Sequence, residues 1–214
     1  MKKHGFTLAE VLITLTIIGV IAVMTIPTLM YNYQRIETET KLKSFYSTGS
    51  QAYKQWLAKE HIDTKDINFD SLNSGARMLD WWNRNIGREI ESISVRAIGG
   101  PYIKVLLPDG SAFYTYANLP PNSTHRILTF YYCVHAEKCG DTQQAVKADG
   151  RNTFVFTLEK DGTFMTSYDR YHRMTRAQIL NTQNGCRRGH DQNHGCARLI
   201  ELDNWKIKSD YPCF

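Results

Sequence analysis

The chain has no internal repeat, no low-complexity tract and no basic tail, so neither a repeat array nor a nucleic-acid arm is in view. It has no glycine-rich phosphate loop, and its lone Ser and His residues form no legible set of nucleophile, base and oxyanion donor. Nothing in the residues therefore points to nucleotide binding or hydrolysis. None of the five cysteines falls in a CxxC pair and all lie after residue 130, which favours an oxidising compartment over cytosolic metal or redox use and leaves one cysteine over. Charge is missing altogether from Val11 to Gln34, a run of 24 residues, although the mean hydropathy of the whole chain is −0.41. The apolar material is concentrated at one end.

What is present belongs to a folded protein: 42% of residues are apolar, 12% aromatic and 22% charged, which excludes disorder as the main state. The formal charge of +5 is too mild to imply nucleic acid. Leu8 to Met30 as a helix rises about 1.5 Å per residue, enough to cross a hydrocarbon layer roughly 30 Å thick. Lys2 and Lys3 precede it, so the amino end is expected in the cytoplasm and residues 31–214 across the membrane. Pro27, Thr28, Leu29, Met30 and Tyr31 give no small-x-small site for secretory cleavage on the far side. Glu10 stands out, because a carboxylate at bilayer depth costs about 2.5 to 3.5 kcal/mol and needs a partner or a snorkelling path.

Lys2, Lys3, His4, Gly5, Phe6, Thr7, Leu8, Ala9 and Glu10, followed by the uninterrupted apolar run, resemble the prepilin signature of type IV pilins and type II secretion pseudopilins. The resemblance implies a leader over 1–5 cut after Gly5 by a prepilin peptidase, and methylation of the new amino terminus at Phe6. It implies a transmembrane and filament-assembly segment over 6–30, in which Gly19 and Pro27 stand where family members loosen this helix, and an extracytoplasmic pilin-like domain over 31–214. It also gives Glu10 a role, pairing in the filament with the Phe6 amine of a neighbouring subunit; burial strengthens that pair and raises its desolvation cost, so it selects register more than it adds stability. Val11, Leu12, Leu15, Ile18 and Ile26 would supply packing, and a kink or melted stretch is expected at Pro27.

From Arg35 the pattern turns amphipathic. Leu42, Phe45, Tyr46, Ala52, Tyr53, Trp56 and Leu57 recur at three- and four-residue steps, with Glu37–Lys41 and Glu39–Lys43 as i, i+4 pairs on the other side, which predicts a helix to about His61. A second helix is expected within 71–86. Strands are expected over 102–107 and 112–117 around the turn Pro108-Asp109-Gly110-Ser111, over 126–134, and over 153–159 and 164–168 around Lys160 to Thr163, with 118–124 a surface loop. The fold class is α+β: a long N-terminal helix, membrane-spanning then amphipathic, packed on a small antiparallel sheet in the pilin manner.

Cys186, His190, His194 and Cys196 offer two thiolates and two imidazoles, sound zinc ligands. The compartment and the unusual spacing favour a Cys186–Cys196 disulfide instead, in agreement with the cystine loop near the end of many pseudopilin-like chains. Cys133 and Cys139 are close enough for a second local disulfide, although Cys213 can pair with either of them; otherwise Cys213 is an exposed thiol. Asp141, Asp149, Asn152 and Asp161 carry calcium-type oxygens but read better as turn residues. Arg170, Arg173 and Arg176, interleaved with Tyr168, Tyr171 and His172 and extended by Arg187 and Arg188, form a possible anionic-ligand surface, for which a solvated face is the commoner reading.

The resemblance implies a structural subunit, no enzyme and no cofactor, resident in the bacterial inner membrane until assembled into a pilus or pseudopilus. Its implied partners are other pilin or pseudopilin subunits, the prepilin peptidase, the inner-membrane assembly platform and membrane lipid. A DNA-binding minor pilin and a membrane-anchored extracytoplasmic enzyme are the competing readings.

Overall fold

The computed structural model describes residues 7–61, 69–118, 127–159 and 162–214. The chain divides into two compact units, Met1–Glu37 and Thr38–Phe214, a boundary seven residues later than the end of the apolar segment suggests.

Helix α1, Leu8–Glu60, is continuous. Through the first unit its apolar side chains are exposed; Leu12, Leu15, Ile18 and Leu29 each keep more than half their surface. Pro27 lies inside the helix rather than in a melted stretch: it removes one backbone donor, and the helical ladder on either side is maintained.

In the second unit, α1 buries Leu42, Phe45, Ala52, Tyr53 and Trp56 of the stripe expected from their spacing, together with Gly49, while Tyr46 and Leu57 of that stripe are only partly buried. Phe45 is the hub, stacked on Tyr132 at 4.2 Å between centroids and set edge-on to Phe156 at 5.0 Å. Gly49 permits the close approach of β6, since a Cβ there would lie 2.6 Å from the Phe164 ring.

The sheet is a six-stranded antiparallel meander in chain order: β1 Ser94–Gly99, β2 Tyr102–Leu106, β3 Ala112–Asn118, β4 Ile127–Cys133, β5 Thr153–Leu158 and β6 Phe164–Thr166. Alternation assigns its faces. Ile103, Val105, Phe113, Phe130, Phe154 and Phe156 join the cluster around α1, whereas Tyr102, Ala112, Tyr114, Tyr131 and Cys133 belong to the opposite face. The β2–β3 turn forms as expected, with the Asp109 carboxylate accepting from the Ser111 N–H at 2.9 Å and Gly110 at φ +77°.

Strand β1 was not expected. It is an edge strand with little burial and a register shift between Ala97 and Gly99. Helix α2 occupies Gly75–Arg84, capped by the Ser74 hydroxyl, and a single 3₁₀ turn follows at Ile86–Arg88. Three further short helices, α3 Asp169–His172, α4 Arg176–Asn181 and α5 Cys196–Leu202, build the C-terminal region. Residues 119–126 and 160–161, within the expected loop, strand start and turn, lie outside the described residues.

Candidate functional site

Gly5 and Phe6, the expected cleavage and methylation positions, lie outside the described residues, and the description begins at Thr7. The Thr7 N–H and hydroxyl both donate to Glu10 Oε2 at 2.8 Å, and the Glu10 N–H approaches the Thr7 hydroxyl at 3.3 Å. Thr7-x-x-Glu10 is thus a reciprocal capping box that starts α1, a signature present in the sequence and not used in its reading. Glu10 has a partner within its own chain. Downstream, α1 is the one helix among the described residues long and apolar enough to cross a membrane. A Cβ at Gly19 would meet nothing within 4 Å, so that position imposes no packing requirement within one chain.

Two disulfides are present, Cys133–Cys139 and Cys186–Cys196. Cys213 corrects an expectation. It stands beside the second disulfide, its Sγ 3.9 Å from Cys196 Sγ, and is partly buried rather than an exposed thiol next to the chain end. Burial, assisted by the Asp149 carboxylate, pushes its pKa up to about 12. The C-terminal segment folds back over the loop, with the Tyr211 hydroxyl donating to the Gly150 carbonyl at 2.5 Å. His194 faces Tyr168 and Tyr131 at ring separations of 5.4 and 6.4 Å, and burial, with a contribution from Arg170, lowers its pKa to about 4. A neutral imidazole results.

The oxygens weighed for calcium serve other bonds. Asp149 Oδ1 accepts the N–H groups of Arg151, Asn152 and Thr153 at 2.8 to 2.9 Å, closing a turn. Asn152 Oδ1 accepts from His135 N, and Asp141 pairs with Lys104 and Arg96, whose hydrogen bonds hold its carboxyl below the usual range. Asp161 lies outside the described residues.

The arginine cluster is largely committed. Arg173 pairs with Asp169, and Arg176 donates to Asp203 from Nε and to Asp210 from both terminal nitrogens. Arg170 lies over the Tyr171 ring at 4.7 Å and donates to its hydroxyl. His172 Nε2 lies 2.6 Å from the Thr166 carbonyl. An anion would have to compete with carboxylates already seated.

One contact that sequence reasoning missed ties the C-terminal segment to α1. Glu39, expected on the solvated side, is 4% exposed; Oε1 accepts the Ile207 N–H and Oε2 the Lys206 ammonium, each at 2.8 Å.

A prokaryotic N-terminal methylation motif matches residues 1–26. This is the prepilin-type cleavage and methylation motif of type IV pilins and pseudopilins, and it supports a pilin- or pseudopilin-like substrate of prepilin peptidase; the architecture is α+β and pilin-like, and the motif implies a structural subunit rather than an enzyme and suggests assembly with other pilin subunits. Over residues 28–213 it belongs to a family of unknown function (DUF6613). No curated protein and no solved structure matches it. Motif and apolar helix together are consistent with an inner-membrane anchor.

Proposed function

We propose that this chain is a structural subunit of a type IV pilus or a type II secretion pseudopilus. The observation that carries the reading is the coincidence, in one element, of the methylation motif with a helix that is apolar and exposed through its first unit and core-packed in its second. An exposed apolar band of this size is costly in water. Lipid covers it before assembly, and the equivalent helices of neighbouring subunits afterwards. The amino end is cytoplasmic, the leader over 1–5 is removed, Phe6 becomes the methylated first residue, and the domain over 31–214 lies beyond the inner membrane until the assembly platform extracts the subunit.

Filament assembly then uses Glu10. The carboxylate has lone pairs beyond those taken by Thr7, and the neighbour's Phe6 amine is the cation that suits it. Mass spectrometry of protein from cells with an active prepilin peptidase should find methylated Phe6 as the first residue, with the leader retained in Gly5→Val. Met1 on the wild-type protein would overturn the reading. Glu10→Val should remain membrane-bound and processed yet be depleted from sheared filaments; equal filament content would remove the role given to Glu10.

A further inference from the structure

The way α1 begins decides where its lipid-covered band can begin. Thr7 stands outside the helix and Leu8 is its first residue. The first backbone N–H taken up by the helical ladder is that of Val11, bonded to the Thr7 carbonyl at 3.2 Å. The capping box employs the N–H groups of Thr7 and Glu10, while those of Leu8 and Ala9 belong to the first turn, for which a helix has no acceptor of its own. Such donors need water or headgroup oxygens, because hydrocarbon offers none. The Glu10 carboxylate, exposed and bonded to Thr7 through Oε2, makes the same demand.

Beyond Glu10 that demand ceases. The Thr14, Thr16 and Thr25 hydroxyls each donate to a carbonyl three or four residues back, at 2.8 to 3.0 Å, so the helix itself satisfies these polar groups of the apolar run. The large side chains from Val11 to Met30 stay exposed, and after them come Tyr31 and Tyr33, 40% and 62% exposed. Arg35 is the first charge after the run. A ring with an apolar body and a hydroxyl tip suits the headgroup layer. From Glu10 to Tyr31 the helix rises about 31 Å, or about 30 Å along the membrane normal at a common tilt of about 20°. A hydrocarbon layer has that thickness. The two polar margins of α1 thus match the two faces of one bilayer, with no charge between them.

We infer that the membrane-resident subunit sits with Glu10 in the inner headgroup layer and Tyr31 and Tyr33 in the outer one, so that the hydrocarbon band is Val11–Met30 and its midplane falls at Val20 and Ile21. This register rests on the membrane reading proposed above and narrows it. An inner boundary at Leu8 would put Glu10 about 3 Å into hydrocarbon; at the register inferred, its carboxylate stays hydrated and needs no counter-charge until the subunit enters a filament.

The test reconstitutes the full-length protein, in a Cys213→Ser background that leaves no free native thiol, into dioleoylphosphatidylcholine vesicles. Nitroxide labels are placed singly through Val11→Cys, Val20→Cys and Met30→Cys, and collision with oxygen and with an aqueous nickel chelate gives the depth of each. The Val20→Cys label should be deepest, and the Val11→Cys and Met30→Cys labels should lie at equal depth to within about 3 Å, whereas a boundary at Leu8 puts the Val11→Cys label deeper by about 4 Å. Tyr31→Leu with Tyr33→Leu lengthens the apolar run at its outer end, so the Met30→Cys label should sink relative to Val11→Cys by about 3 Å or more. A wild-type difference of more than about 3 Å in either sense, or unchanged depths in the double tyrosine variant, would overturn the register and leave the membrane reading standing. A Val20→Cys label open to the aqueous chelate would overturn both.

Discussion

Glu39 offers the most direct test of what holds the C-terminal segment in place. Among the groups its carboxylate contacts are two donors of different kinds, a backbone N–H of Ile207 and the ammonium of Lys206. The Lys206 side chain is 68% exposed while that of Glu39 is 5% exposed, so the ammonium keeps much of its hydration and the ion pair itself adds at most about 1 kcal/mol. The backbone donor, the Ile207 N–H, lies in a buried contact. Losing a charged acceptor there costs about 1.5 to 3 kcal/mol, and leaving the N–H with none costs as much or more. Glu39→Gln should therefore destabilise by about 2 kcal/mol and Glu39→Ala by about 3, whereas Lys206→Met should cost less than about 1. The assay is urea unfolding of the full chain in micelles, followed by tryptophan fluorescence, since Trp56 and Trp82 are buried in the same core. A double-mutant cycle between Glu39 and Lys206 should return a coupling no larger than about 1 kcal/mol. The reasoning fails if Lys206→Met is as damaging as Glu39→Ala, or if Glu39→Gln lies within about 0.5 kcal/mol of wild type.

Other outcomes follow from the same geometry. The folded-state pKa of His194, lowered to about 4 from 6.5, means that the unfolded chain binds the extra proton first; the stability it contributes is present above about pH 6.5 and lost as the pH falls toward 4, by about 3 kcal/mol. His194→Asn should flatten that acid limb in pH-dependent urea unfolding relative to wild type, and identical limbs would refute the assignment. Gly49→Ala should cost about 1 to 3 kcal/mol despite the better helix propensity of alanine, because its Cβ meets the Phe164 ring; pairing it with Phe164→Leu should recover part of the loss in thermal unfolding. Under non-reducing conditions, peptide mapping should recover Cys186 with Cys196 and Cys133 with Cys139, with Cys213 alkylated only after denaturation. Stoichiometric zinc with free thiols at Cys186 and Cys196 would contradict this.

Legibility in the sequence tracked how locally each feature is determined. The core stripe of α1 and the β2–β3 hairpin are written in three- and four-residue spacing and in a Pro-Asp-Gly turn, and both formed where expected. Strand β1 left no alternating pattern because an exposed edge strand buries neither face fully. Helices of four to seven residues such as α3, α4 and α5 are too short for apolar periodicity to show. Glu39 sits in a Glu- and Lys-rich stretch that reads as solvated surface; only the return of the chain at Ile207, far away in sequence, makes it interior. The neighbourhood of Tyr131, Tyr168 and His194 was invisible for the same reason, since these rings come from three separate stretches. The arginines were visible, but their seated carboxylates at Asp203 and Asp210 were not.

The placement of Cys213 has a kinetic consequence. A free thiol 3.9 Å from a disulfide sulfur is positioned to rearrange it, but exchange proceeds through the thiolate. Raising the pKa from 9.0 to about 12 cuts the ionised fraction near neutral pH about a thousandfold. Once the C-terminal segment has closed over the Cys186–Cys196 bridge, the third sulfur is chemically silent at arm's length. In the folded domain the thiol beside the bridge is therefore a poor attacking group near neutral pH, and the Cys186–Cys196 pairing is protected from it. An odd cysteine, ordinarily a source of scrambled isomers, is tolerated here because the fold withholds its proton from solvent.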